Sequence, residues 1–363
     1  MPDQIIATLH AALADLMLPE HPRVHWLFAR MLKFVDISFI DPGGRFYWVT
    51  FVAAMVVLAI AYALRPDWRA RWGNEGFLRF CFPRGFFTHP STRTDIQLNV
   101  VNFFVMPFVN IGWRYNGAYF SAILLAAMVW LFGPATPLLD WTAGTIFGFT
   151  ILIAIANDFG YWVWHYLAHR VPFLWPIHKV HHSAEVMTPL VAGRVHPIEN
   201  ILLPIFRAAA TALFLAPALY FFVGEAPVMT LFGMNLVAAA FALAGDQLFH
   251  AHVPISWGRR LNHVFICPAS HQIHHSVAPE HWNKNMGAFL AVWDWMFGTL
   301  YLPDSRQDLR YGAGEGVPQP HTGLPTAYLR PLWEVAGMLR EQLTRRRQDA
   351  VSQAAAPPSE RPT

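Results

Sequence analysis

The chain has 363 residues, of which 55% are apolar, 15% aromatic and only 13% charged, about half the charged share of a soluble globular chain. Its net charge of +3 with histidine neutral is small, and no RNA-binding or zinc-finger pattern accompanies it, so no nucleic acid partner is expected. Cys81 and Cys267 lie far apart and form no CxxC pair, which leaves neither a thiolate zinc site nor a disulfide framework.

In chain order, residues 1–45 read as an N-terminal interfacial region. They lack the basic start and small-residue cleavage site of a secretory signal, and residues 4–17 (QIIATLHAALADLM) suit an amphipathic helix lying on a membrane. Phe46–Leu64 opens with aromatics, carries no charge and is followed by Arg65, as a transmembrane helix with an aromatic belt does. The loop 65–95 sets Arg65, Arg69, Arg71, Arg79, Arg84 and Arg93 against Asp67, Glu75 and Asp95, which predicts a cytoplasmic position. Residues 98–113 are apolar but short and interrupted by Pro107, and read as interfacial or re-entrant. A second span is expected around Tyr119–Phe132 and a third over Thr142–Trp164. Ile201–Val223 and Val228–Leu248 are expected as a fourth and fifth, joined by the brief link GEAP into a helical hairpin.

Counting crossings from the basic loop returns residues 165–200 and 249–363 to the cytoplasmic face, where Arg345, Arg346 and Arg347 agree. The expected fold class is all-α, a multi-span integral membrane helical bundle. Membrane spans and the basic loop occupy 46–149, a histidine-rich part 150–302, and a peripheral region 303–347. The tail 348–363 is rich in Pro, Ala and Ser and reads as disordered.

Of 18 histidines, 13 fall between His165 and His281, grouped at span ends. His165 and His169 stand at i and i+4, which puts both rings on one helix face. His178, His181 and His182 (HKVHHS) stand at i, i+3 and i+4, and His271, His274 and His275 (HQIHHS) repeat that spacing; each box is expected to gather its imidazoles on one face. One zinc ion takes three or four ligands, so eight imidazoles point to more than one metal. Imidazole suits iron, zinc, copper and nickel alike; iron is preferred because oxygen activation beside lipid has obvious substrates. Ionisable groups near hydrocarbon are costly and seldom idle. Asp158, Glu199 and Asp246 are candidates to orient imidazoles by accepting a ring N–H, while Asp294 reads as structural. His263 and His281 are ambiguous, and His10, His21, His25, His89 and His321 read as surface or interfacial.

At these boxes the sequence resembles the fatty acid hydroxylase superfamily, which includes sterol desaturases, sterol methyl oxidases and alkylglycerol monooxygenase. The resemblance covers roughly 150–302. DFGYWVWHYLAHRVPFLWPIHKVHHS is similar to the first two boxes, and PASHQIHHS followed by WDWMFGTLY to the third box and its following signature. The resemblance implies a catalytic domain with two iron ions (Fe2+/Fe3+), O2 as co-substrate and an external electron donor. It implies His165, His169, His178, His181, His182, His271, His274 and His275 as ligands. His250 stands where relatives carry a histidine and His252 where asparagine is common, so either is a candidate ninth ligand. His196, before Pro197-Ile198-Glu199, is a candidate ligand or support. Two departures remove no ligand: Tyr166 follows His165 where arginine is common, and Met286 follows Asn285 where tyrosine is common.

Asp41-Pro42-Gly43-Gly44 resembles the haem-ligand turn of cytochrome b5, but aspartate replaces the histidine; it reads as a turn. Electrons are therefore expected from a separate cytochrome b5-, ferredoxin- or reductase-type donor. The expected activity is hydroxylation of a C–H bond in a lipid of the surrounding bilayer, with desaturation as the alternative, in a bacterial inner membrane or an endoplasmic-reticulum-type membrane. A metal transporter would want ligands deep within its spans, and an inactive scaffold would be expected to have lost box histidines.

Overall fold

The computed structural model describes residues 32, 35, 36 and 40, then 47–72, 74–109, 117–231, 233–303 and 307–355. The amphipathic helix expected over 4–17 and the turn at 41–44 lie outside the described residues. The described residues are mostly helical, and the chain divides into two compact units.

The first unit takes in the chain up to Pro83, Thr142–Ile151 and Pro227–Gln247. Its longest helix, α1 (Trp48–Leu64), has no charged residue and matches the first expected span. Short helices α2 (Pro66–Trp72) and α3 (Phe77–Cys81) occupy the basic stretch that reads from sequence as a loop. The fifth expected span does not form. Thr230–Leu231 (β1) pairs antiparallel with Met234–Asn235 (β2), and a helix α9 covers only Leu236–Leu243. The reason is local. Gly233 takes a φ of +77° that L side chains rarely adopt, closing a hairpin. The Asn235 side chain then accepts from Val237 N and Ala238 N and caps α9. Thr150 anchors this segment, its Oγ1 accepting from Met229 N and its carbonyl from Asn235 Nδ2. The crossing count that returned 249–363 to the side of the first box therefore does not hold in that form.

The second unit takes in Arg84–Trp141, Leu152–Ala226 and everything from Leu248. Helix α4 (Pro90–Val109) covers the described part of the segment 98–113, expected from sequence as interfacial or re-entrant. Pro107 lies near its end, and its polar side chains hold the fold. Asn99 Nδ2 donates to Leu190 O, and Asn102 Nδ2 to Val195 O. A Cβ at Gly193 would fall 1.7 Å from Asn99 Oδ1, so only glycine permits this approach. The next residue, Arg194, is fully buried. It donates to Asp95 Oδ1, to the carbonyls of Ser91, Val180 and His321, and to Ser183 Oγ. His321, read from sequence as a surface residue, is fully buried with Nδ1 2.9 Å from Ser183 Oγ.

Helix α5 (Gly117–Phe132) packs along α8 (Pro197–Phe221), and Tyr220 donates to Gly133 O. Helix α6 (Ala143–Arg170) begins in the first unit and continues into the second. Of the helices described, α6 and α8 are long and apolar enough to cross a membrane, while α1 and α5 are shorter apolar helices. The rest of the protein buries only 33% and 22% of the apolar windows of α6 and α8, unlike the core helices of a soluble domain. Helix α13 (Leu324–Ala355) continues through residues 348–355, where a disordered tail is expected from sequence.

Candidate metal centre

Helix α6 carries His165 and His169 in its final turns, as the sequence predicts. A tight turn at 171–174, with Trp175 N and Val171 O bonded at 3.1 Å, leads into α7 (Trp175–His182). Helix α11 (Pro268–His274) carries the third box, and His275 caps its end. Short helices α10 (Arg259–Asn262) and α12 (Val292–Met296) flank it.

The histidines converge as two groups. His165, His169, His178, His182 and His274 form one, and His181, His250, His271 and His275 form the other. Within each group one nitrogen per residue lies within 4.8 Å of all the others. The boxes do not gather on one face as expected. Each HxxHH gives its i and i+4 residues to one group and the histidine between them to the other. His178 and His182 join the first group while His181 joins the second; His271 and His275 join the second while His274 joins the first. The groups touch where His182 and His275 stack, ring centroids 4.5 Å apart.

The tautomers in the first group are set by hydrogen bonds. His165 Nδ1 donates to Met286 O at 2.6 Å, His274 Nδ1 to Lys284 O at 2.7 Å, and His178 Nδ1 to Glu199 Oε1 at 2.8 Å. Each Nε2 is then a lone pair. All three are buried with no hydrogen-bond partner among the described residues. In the second group, His250 Nε2 lies 3.3 Å from His181 Nε2 and 3.0 Å from His271 Nε2, which lies 3.2 Å from His275 Nε2. A neutral imidazole nitrogen offers one proton or one lone pair, so a nitrogen facing two others satisfies only one of them well. A cation in their midst satisfies all. Metal–imidazole bonds of about 2.1 Å set neighbouring ligand nitrogens about 3.0 Å apart, which these separations fit.

Burial also disfavours the charged form of several of these rings. It pushes the proton affinity of His274 down to about 3. For His182, His271 and His275, burial first and neighbouring imidazoles second push it well below the ordinary range. Neutral, all-nitrogen donors of this kind suit iron, as well as zinc, copper or nickel.

The other expected residues fall in different places. His252 belongs to neither group; its ring lies edge-on to Phe86 at 6.0 Å. His196 caps α8, accepting from Ile198 N, and its Nε2 lies 3.1 Å from Tyr328 O. His263 is exposed, with Nδ1 2.7 Å from Arg259 O. His281 is buried beside Tyr301 and outside both groups. Glu199 does meet an imidazole, that of His178, and also accepts from Trp164 Nε1. Asp246 lies in the first unit and meets no imidazole among its described contacts. Asp158 touches no imidazole either; it accepts from Phe289 N, Leu290 N and Trp293 Nε1.

Asp158 thus acts at one remove, on the loop that supplies the carbonyls of Lys284 and Met286. Asp294 joins it, accepting from Met286 N, Gly287 N, Thr299 Oγ1 and Trp162 Nε1. Asn285 completes the loop at φ 53°, donating to Ser270 O and Tyr301 O and accepting from Tyr301 N. Asparagine tolerates this left-handed conformation better than most residues. Gln272, inside the third box, donates to Ala251 O and Val253 O and so fixes the segment bearing His250. Gln272 and Asn285 escape a reading that looks for ligands. Their signal is a polar amide inside a box and a pair of asparagines, Asn283 and Asn285, before a signature.

Residues 150–299 match the family model described as fatty acid hydroxylase. An ornithine lipid hydroxylase of Rhizobium tropici is 31% identical over 42% of this chain and 42% of its own length. An alkylglycerol monooxygenase of Caenorhabditis elegans is 29% identical over 40% of this chain and 25% of its own. A methylsterol monooxygenase of Aspergillus fumigatus is 25% identical over 51% of this chain and 60% of its own. The chain thus spans less than two thirds of each. No solved structure matches it.

Proposed function

We propose that this chain, whose residues 150–299 match the fatty acid hydroxylase family model, is an O2-dependent di-iron oxygenase that hydroxylates a C–H bond of a membrane lipid. The observation that carries this reading is the convergence of nine imidazoles into two adjacent groups. Five imidazoles, His165, His169, His178, His182 and His274, would hold one iron. Four, His181, His250, His271 and His275, would hold the other. Bound there, the iron pair would supply the activation of O2 and the oxidant that replaces a C–H hydrogen by hydroxyl.

The protein's part is ligation and orientation. Glu199 and the carbonyls of Met286 and Lys284 fix the rings of His178, His165 and His274, so that each presents a lone pair. Asp158 and Asp294 hold the loop behind two of those contacts. The balance is one lipid, one O2, two electrons and two protons to one alcohol and one water. The electrons would come from a separate cytochrome b5-, ferredoxin- or reductase-type protein. The lipid would reach the site from the bilayer along α6 and α8, whose apolar faces are largely uncovered. At 1.5 Å per residue a helix the length of α6 exceeds a hydrocarbon core of about 30 Å. His165 and His169 in its last turns would thus sit at the membrane boundary, on the cytoplasmic face by the loop charges.

Hydroxylation leads over desaturation because the matched relatives are named as a hydroxylase and monooxygenases. Mass spectrometry of lipids from cells with and without the protein tests both. A product heavier by one oxygen atom is expected. Loss of two hydrogens would replace the hydroxylase by a desaturase, and no altered lipid at full iron content would overturn the reading.

A further inference from the structure

Arg207 stands in the middle of the apolar helix α8, where it is the helix's one basic residue. Helices α6 and α8 approach closely here. A Cβ on Gly160 would lie 2.6 Å from Phe206 O and 2.7 Å from Arg207 Cα. The Arg207 guanidinium carbon lies 5.0 Å from the centroid of the Tyr161 ring. Tyr161 in turn lies edge-on to His165, centroids 5.3 Å apart. One aromatic ring therefore separates a cation from the metal centre.

That cation is under-satisfied. Arg207 Nε is buried and makes no hydrogen bond among the described residues. The carboxylate in its electrostatic surroundings is Asp158, whose oxygens already accept from Phe289 N, Leu290 N and Trp293 Nε1. An ionised side chain in an apolar segment is expensive unless it meets an opposite charge. A guanidinium presents a planar fork of donors that matches two oxygens of a carboxylate or phosphate.

We propose that Arg207 binds the anionic oxygen group, phosphate or carboxylate, of the lipid that this centre oxidises. The proposal rests on the reading of the chain as a lipid oxygenase and adds the class of substrate. A lipid held at Arg207 presents carbons near its polar end to the histidine groups, rather than the far end of its tail.

Three single-chain C18 probes test it on the detergent-solubilised full chain, with dissociation constants read by native mass spectrometry. They are oleate, oleoyl lysophosphatidic acid and the neutral monoolein. At least one anionic probe should bind about tenfold more tightly than monoolein, the span of a charge-assisted hydrogen bond, and which one does so separates carboxylate from phosphate. Arg207→Gln should erase that preference and leave monoolein binding unchanged. Should Arg207→Gln lose its thermal unfolding transition, Arg207→Lys decides: it keeps the charge without the fork and should show a reduced preference. A wild type without preference, or a preference undiminished in the variants, overturns the proposal. Selective anion binding without lipid oxidation would sink the oxygenase reading and leave this site standing. Oxidation without selectivity would do the reverse.

Discussion

His250 and His252 are two residues apart in LFHAHV, and they illustrate how little spacing says about where a ring ends up. His250 faces His181 and His271, while His252 faces Phe86. His250→Ala should therefore lower bound iron and abolish lipid oxidation, whereas His252→Ala should keep both near wild type, as metal analysis of the purified variants would show. His274→Ala should likewise abolish oxidation while leaving membrane insertion intact; full activity at unchanged metal content would contradict its role. His321 carries a different expectation. Burial, and then the charges of Arg194, Lys179 and Arg330, push its proton affinity from an ordinary 6.5 down to about 3. The unfolded chain takes up that proton first, so stability is lost as pH falls from about 6.5 toward 3. His321→Asn keeps a polar partner for Ser183 and removes the titration. Its melting temperature should fall less steeply than wild type over that range; parallel slopes would count against the argument.

At the scale of elements, the two HxxHH boxes act as splitters. Each sits on a single turn of helix, so its i and i+4 rings point one way and its i+3 ring another. The boxes and their helical setting were legible in the sequence, because helical spacing and span ends are local properties. Their division between two groups was not, because it depends on how α6, α7 and α11 meet. The same limit hid Arg194, one arginine among many in the sequence, whose buried bonds join α4, α7 and the segment at His321. Arg194→Met should cost about 3–5 kcal/mol by stranding the Asp95 carboxylate, and pairing it with Asp95→Leu should recover part of that, as denaturant unfolding would show. The loop 283–301 supports the site in a similar way. Asp294→Asn removes one acceptor oxygen and brings an amide up to backbone N–H groups, at about 1–3 kcal/mol. Because that loop orients His165 and His274, iron affinity should drop about 10–100-fold as well. Normal affinity at reduced stability would mean that the loop's support does not reach the metal.

For the whole molecule, composition and apolar length carried the helical character of the fold but read one segment too many as a continuous apolar helix. Val228–Leu248 has the apolarity of a span, yet Gly233 and the Asn235 cap break it into a hairpin and a short helix. Hydropathy sums over such punctuation, whereas backbone conformation does not. The metal should contribute to the stability of the whole. Removing it with a chelator should lower the melting temperature, since a ligand at 100 times its dissociation constant stabilises by about 2.7 kcal/mol. Readdition of iron should restore it; a midpoint indifferent to metal would argue against a bound pair.

The crossing of the boxes also dictates an order of events during synthesis. The five-histidine group needs His274, and the four-histidine group needs His250, His271 and His275. Neither set is complete until the ribosome has passed residue 275, long after α6 and α8 have emerged. On the proposed reading the helices would reach the bilayer first and the metal would arrive last, so a nascent chain truncated before the third box should insert without gaining lipid-oxidising activity.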